Sequence, residues 1–356
     1  MKRIKPLLVV IAILFTAYRS SAQSVFSDLI KAGPDDANKL LNAYAEPLFK
    51  GFGTGMNSNW TNTAKTKKLL HFDIRISGSG ALVPSSDKTF DVTKIGLSSH
   101  IGPQDPSQTI TPTFAGDKNG NPPTLNVYDD SHQKVSEFQM PTGKLSIIPA
   151  PQVQLTIGLP KNTDITLRGI PQISFGGNIG SVSMIGVGIK HDIIQDFANK
   201  KADIIIPFDL AVVLGYSRLN MSVPLNVQPD NGAQPKDAQQ STDFSNQHFE
   251  GHFNSFIAQA IVSKKLIFFT PFLAVGYSTA NANVAAMGNY PVTTGETLLA
   301  QPTYTTFPNP INIKETTVSG VRADLGFQLE LAFFRFYASY SAAKYQSFSG
   351  GFGFGF

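Results

Sequence analysis

The chain has 356 residues, no cysteine and a formal charge of +4. Lack of Cys removes disulfides, thiolate metal sites, cysteine nucleophiles and a lipidated N-terminal cysteine. Residues 1–22 carry Lys2, Arg3, Lys5 and Arg19 and no acid, so the remainder balances 25 basic against 25 acidic residues. With no basic patch or RNA-binding motif, nucleic acid is excluded as a partner.

Residues 1–22 have the form of an export signal. A basic start precedes the apolar run Leu7–Tyr18, and Ser20-Ser21-Ala22 offers small residues for cleavage. Beyond it no apolar run approaches the ~20 residues of a membrane helix. Residues 23–47 are expected to be helical. Asp35 and Asp36 follow Pro34 and suit a helix start, and Leu40, Leu41 and Tyr44 make a modest apolar face. This segment is expected to cap the molecule or enter it as a plug.

From residue 48 onward the dominant pattern is alternation of apolar with polar or small residues. Val153, Leu155, Ile157 and Leu159 oppose Gln152, Gln154, Thr156 and Gly158, and Ile165, Leu167, Ile173 and Phe175 oppose Asp164, Thr166, Arg168, Gln172 and Ser174. Ile204 to Tyr216 gives an unbroken apolar face, which turns polar at Arg218, Asn220 and Ser222. Val321, Ala323, Leu325, Phe327, Leu329 and Leu331 oppose Arg322, Asp324, Gly326, Gln328 and Glu330. Backbone polar groups in lipid need internal partners, so strands that face lipid must close into a barrel.

The expected fold is therefore all-β: a transmembrane antiparallel β-barrel of about 12 strands (10–14), with a short N-terminal helix and long extracellular loops. The strands fall at 48–56, 69–82, 89–98, 145–159, 164–176, 179–190, 203–220, 244–263, 266–284, 316–331, 333–345 and 348–356. The strands at 48–56 and 89–98 are the weak ones, and losing both leaves ten. Turns at Pro84–Lys88, Pro160–Thr163, Ser263–Lys265 and Ala332 are expected on the periplasmic side, as is a longer link from His191 to Ala202 containing a short helix. The long segments 99–144, 221–243 and 285–315 fall outside. The first of these either folds inward or lies over the mouth. Phe352, Phe354 and Phe356 alternate with glycine at the C-terminus and resemble the terminal strand that barrel-assembly machinery reads.

Alternation assigns Asp164, Arg168, Asp209, His248, Glu250, His252, Arg322, Asp324, Gln328 and Glu330 to the lumen. The row His248, Glu250, His252 suggests metal, but on a strand its histidines lie roughly 13 Å apart, too far to share an ion through ~2 Å bonds. A polar lumen row is the expectation, with Phe249 and Phe253 towards lipid. No G-x-S-x-G elbow occurs, so no catalytic residue, metal or cofactor is assigned and the chain is expected not to be an enzyme.

Tyr44 to Asp73, with Pro47, Gly51-Phe52-Gly53, Asn57-Ser58-Asn59-Trp60 and Asn62-Thr63-Ala64-Lys65, resembles a family of exported barrel proteins of unknown function. So does Gly186-Val187-Gly188-Ile189-Lys190-His191-Asp192 followed by Pro207-Phe208-Asp209-Leu210. More distantly the layout is similar to long-chain fatty-acid transporters of the FadL type. That resemblance implies a plugged barrel in the bacterial outer membrane, passing a small molecule that the FadL likeness would make hydrophobic. The alternative is a structural or surface-binding barrel without transport.

Overall fold

The computed structural model describes residues 29–174, 180–197, 207–297 and 301–355. The expected export signal at 1–22, Phe175, Ile204, Ile206 and the terminal Phe356 lie outside these residues.

Ten antiparallel strands form one closed barrel. They are β1 (Phe72–Leu82), β2 (Ile147–Leu159), β3 (Thr163–Ser174), β4 (Ser181–Asp192), β5 (Asp209–Pro224), β6 (His248–Ser263), β7 (Phe269–Met287), β8 (Ile311–Leu331), β9 (Phe334–Ala342) and β10 (Gln346–Gly355). Each pairs with its neighbour in sequence, and β1 closes the ring on β10 from Asp73↔Gly355 to Leu82↔Gln346. Closure leaves no sheet edge.

The period-2 pattern sets which face is which. Ile74, Leu167, Ile185, Leu214, Leu273, Leu325, Phe336 and Phe352 all point outward and are exposed. Along the same strands Arg75, Arg168, Arg322 and Arg335 point inward and are buried. A molecule with apolar side chains outside and guanidinium groups inside is built for lipid. No helix of the described residues is long and apolar enough to cross a membrane.

Twelve strands are not observed. Residues 48–56 continue the N-terminal helix α1 (Pro34–Met56). Residues 89–98 contain a short strand, Thr89–Asp91, which pairs with Ile110–Pro112 outside the barrel, and then a 3-10 turn. The Gly-Phe-Gly alternation at 51–53 has a period of two but serves helix packing. Loss of these two strands turns β1 around, so Pro84–Lys88 lies at the loop end instead of among the short turns. From β2 onward the expected directions hold. The links at 160–162, 264–268 and 332–333 are short and share one end with the longer link that holds α2 (Ile194–Phe197). The long connections 83–146, 225–247 and 288–310 share the other end.

Helix α1 occupies the lumen from the loop end. Pro34 opens it, and Asp36 is tied down by Ser98, whose N–H donates to Oδ1 at 2.9 Å. Its buried Leu40, Leu41, Tyr44, Phe49 and Met56 pack against Phe249, Phe253, Val284, Ile311 and Ile313 on the inner wall. Each such side chain contributes roughly 1.5–3 kcal/mol on burial. Ile101, Leu125, Val127, Phe138 and Met140 from 83–146 join the same core. That connection therefore lies over the mouth.

Candidate functional site in the plugged lumen

Helix α1 ends at mid-lumen, where its last carbonyls have no intrahelical donors. Three inward arginines meet the end of the helix and the residues after it. Arg168 on β3 donates from Nη1 to Met56 O at 2.8 Å and from Nη2 to Ser58 O at 2.9 Å. Arg322 on β8 donates to Thr54 O at 3.2 Å and Ser58 Oγ at 3.0 Å, and Asp324 holds its Nε at 2.8 Å. Arg75 on β1 donates to Trp60 O at 3.2 Å. Gln152 adds a bond to Gly55 O at 2.6 Å. Positive charge at a helix C-terminus also suits the macrodipole. The result is a guanidinium lock on the plug.

Below the lock, Trp60 lies under the Arg168 guanidinium, with its ring centroid 3.9 Å away. Its other neighbours are Gly188 on β4 and Gly215 on β5, where any Cβ would collide with the indole. The chain then runs down the lumen. Ala64 N–H donates to Ser263 Oγ at 2.8 Å, and Leu70 N–H to Gly158 O at 2.9 Å, just before β1 begins. Residues 29–71 thus thread the barrel from loop end to short-turn end.

The residues expected in the lumen divide into two groups. Asp164, Arg168, Arg322, Asp324 and Gln328 face inward and are buried. Asp164 pairs with Lys190 at 3.0 Å, and Glu330 pairs with Lys265 at 2.6 Å near the short-turn rim. Asp209, half-buried, is the first residue of β5 at that same rim.

His248, Glu250 and His252 do not line the lumen. On β6 the odd-numbered residues are buried and the even-numbered ones face out, so Phe249 and Phe253 point inward. The reason is position along the strand. β5 to β8 run past the lipid belt, and there the barrel behaves as a soluble protein does, polar outside and apolar around α1. His248 Nε2 lies 2.9 Å from Glu250 Oε1, and His252 Nδ1 lies 2.8 Å from Asn220 Oδ1 on this outer face. No group of three metal-ligating side chains occurs among the described residues.

The wall has a seam. β2 pairs with β3 only from Leu159↔Thr163 to Gln154↔Arg168. Continued in register, Val153 to Ile148 would face Gly169 to Ser174, yet no ladder joins them. Proline is the cause. Gly158 N–H points to His71 on the β1 side, so by alternation the odd-numbered N–H positions of β2 point at β3. Pro149 and Pro151 leave two of those positions without a donor, and Pro171, which would face Pro151, leaves a third on β3. β3 also shifts register against β4 between Ile170 and Ile173.

Behind this seam lies an apolar cavity of about 190 Å³ between α1 and the wall. Phe52 and Met56 of α1 line one side, and Pro149, Ile170, Met184 and Leu219 are among the wall residues.

The seam prolines and Arg75 were not among the expected site residues. Their signals are present in the sequence: Asp73, Arg75, Ser77 and Ser79 alternate with Ile74 and Ile76, and two prolines one residue apart interrupt a strand on one edge.

A family model matches residues 1–356. The chain belongs to DUF6588, a family of unknown function. No curated protein matches the sequence. Among solved structures, the chain is similar to the outer membrane protease OmpT from Escherichia coli, with 9% identity, 84% of this chain and 99% of that one covered, and a TM-score of 0.32. The translocator domain of the autotransporter NalP from Neisseria meningitidis gives 13% identity, 86% and 92% coverage and 0.28. Ail, the attachment invasion locus protein of Yersinia pestis, solved with the heparin analogue sucrose octasulfate, gives 10%, 80%, 97% and 0.27. At these identities and scores the likeness is one of barrel fold alone. None of the three is a fatty-acid transporter, and the expected FadL likeness finds no support in them.

Proposed function

We propose that this DUF6588 chain is a non-catalytic outer-membrane barrel that passes a small hydrophobic molecule between the lipid phase and its plugged lumen. The observation that supports this reading is the apolar cavity set behind the unladdered β2/β3 seam. Export directed by residues 1–22, assembly through the strand bearing Phe352, Phe354 and Phe356, and a loop end facing outward belong to the same proposal.

The route is sideways because the axis is filled. A molecule on the lipid side meets Pro149 and Pro151, whose missing donors leave the seam without ladder bonds on that edge. Behind them it meets side chains that exchange water for apolar contact at ~25 cal/mol per Å². Onward movement towards the short-turn end passes the lock of Arg75, Arg168 and Arg322, so the plug gates the second half of the path.

The test is uptake of the hydrophobic dye N-phenyl-1-naphthylamine by cells with an intact lipopolysaccharide layer. Expression of the chain is expected to speed dye entry. Met184→Trp, which fills the cavity, removes the gain, whereas Ala258→Trp on the outer face keeps it. Dye entry that is the same with and without the chain, or indifferent to Met184→Trp, sinks this reading. It would favour a surface-binding barrel that works through the ordered lid of 83–146.

A further inference from the structure

The short-turn mouth holds a second cavity, of about 260 Å³, beneath the plug segment. Its lining is unlike that of the seam. Seven basic side chains face it, against the three carboxylates of Asp73, Asp164 and Glu330. Each carboxylate is already paired. Asp164 takes Lys190 at 3.0 Å, and Asp73 takes Arg335 at 3.1 Å and Lys67 at 3.2 Å. Glu330 takes Lys265 at 2.6 Å. Lys65, Lys68 and Arg75 remain without a carboxylate partner among the described residues.

Arg75 is the most telling of these. It is 6% exposed, and its Nε has no hydrogen-bond partner among the described residues. Its Nη2 is spent on Trp60 O and its Nη1 on the Asn62 side-chain oxygen at 2.6 Å, so Nε is the donor left over, and its guanidinium lies over the Tyr337 ring, 5.0 Å from the centroid. A buried guanidinium with an unused donor is costly unless something accepts from it. Lys65 and Lys68 sit at the rim on the same plug segment, exposed and positioned to add charge from the solvent side. Low-dielectric walls around a single-sign excess concentrate anions there.

We infer that this vestibule binds a phosphate group presented from the short-turn side, with Arg75 donating to it from within and Lys65 and Lys68 holding it at the rim. Guanidinium and ammonium groups together suit a doubly charged tetrahedral oxyanion. The phosphate is carried either by a free solute or by the headgroup of an anionic phospholipid in the adjoining leaflet. This inference does not depend on the seam reading, since Met184 and the cavity behind it lie on the other side of the lock.

The experiment is calorimetric titration of inorganic phosphate into the full folded chain in zwitterionic detergent. It is repeated on Lys65→Gln/Lys68→Gln, two exposed positions whose loss leaves the barrel ladders intact. Saturable binding is expected, weakened about tenfold in the double variant and suppressed by high salt. The same chain in phosphatidylcholine nanodiscs, with and without phosphatidylglycerol, separates the sources. Phosphate binding that disappears in the phosphatidylglycerol discs assigns the site to the headgroup, and binding unchanged by it assigns the site to a free solute. If phosphate does not bind in detergent, a lysine-dependent rise in melting temperature on adding phosphatidylglycerol still supports the headgroup. Absence of both effects, or phosphate binding of equal strength in the double variant, overturns the inference.

Discussion

At the scale of single residues, the lumen is organised by arginine. Arg168 replaces the missing intrahelical donors at the end of α1 and lies against Trp60 as well. Arg168→Met keeps most of the volume but strips Met56 O and Ser58 O of their charged donor. The expected cost is roughly 3 kcal/mol, the range for a buried hydrogen bond to a charged group with its partner left unpaired. Denaturant unfolding in detergent measures this, and planar-bilayer recording should show brief openings that the parent chain lacks. A variant as stable and as silent as the parent would mean that the plug is held elsewhere. Strict period-2 alternation made the inward position of Arg168, Arg322 and Asp324 legible in the sequence. The same rule misplaced His248, Glu250 and His252, because alternation fixes two faces and does not say which is lipid. That assignment changes where a strand leaves the membrane and encloses an apolar plug.

At the scale of elements, α1 is thin where it needs to be. Gly51 lies against Ile148 of β2, and Gly53 lies against Ala280 of β7 and Val318 of β8 on another wall. A Cβ at Gly53 would stand 2.8 Å from both Ala280 Cβ and Thr317 Oγ1. Gly53→Leu is therefore expected to unseat the lower half of α1. Overpacking of this kind costs ~1–3 kcal/mol, and protease should then reach the helix while β1 to β10 stay resistant. Gly53→Leu with α1 still protected would refute the close fit. The strand expected at 48–56 gives way to a helix at these glycines. Gly51, Phe52 and Gly53 carry a two-residue rhythm, and only the wall they touch reveals that the rhythm belongs to a helix. Helix formation at 34–47, with Pro34 and two acids in its first turn, was open to reading from local chemistry alone.

At the scale of the whole molecule, the ring and its contents are separable. Nearly all of residues 29–59 lie inside or above the barrel, and the ladders of β1 to β10 close without them. Deleting 29–59 is expected to leave a heat-stable barrel with a steady conductance, where the full chain is closed. A deletion that folds but stays silent would show that the lower segment 60–71 seals the lumen on its own. Strand directions from β2 onward were legible because long and short connections separate to opposite ends. The direction of β1 was not, because it rests on 89–98, whose hydrophobic residues serve the lid.

The threaded path of residues 29–71 also constrains how the molecule is made. A segment that precedes β1 and runs the length of the lumen cannot be inserted sideways once β1 has zipped to β10. Closing the β1–β10 junction last, around a thread already in place, spares residues 29–71 from being drawn end-on through a finished lumen. On that route residues 29–33 reach the loop end while the ring is still open. Chain order, usually silent in an up-and-down barrel, here becomes a sequence of events: thread, wrap, then close.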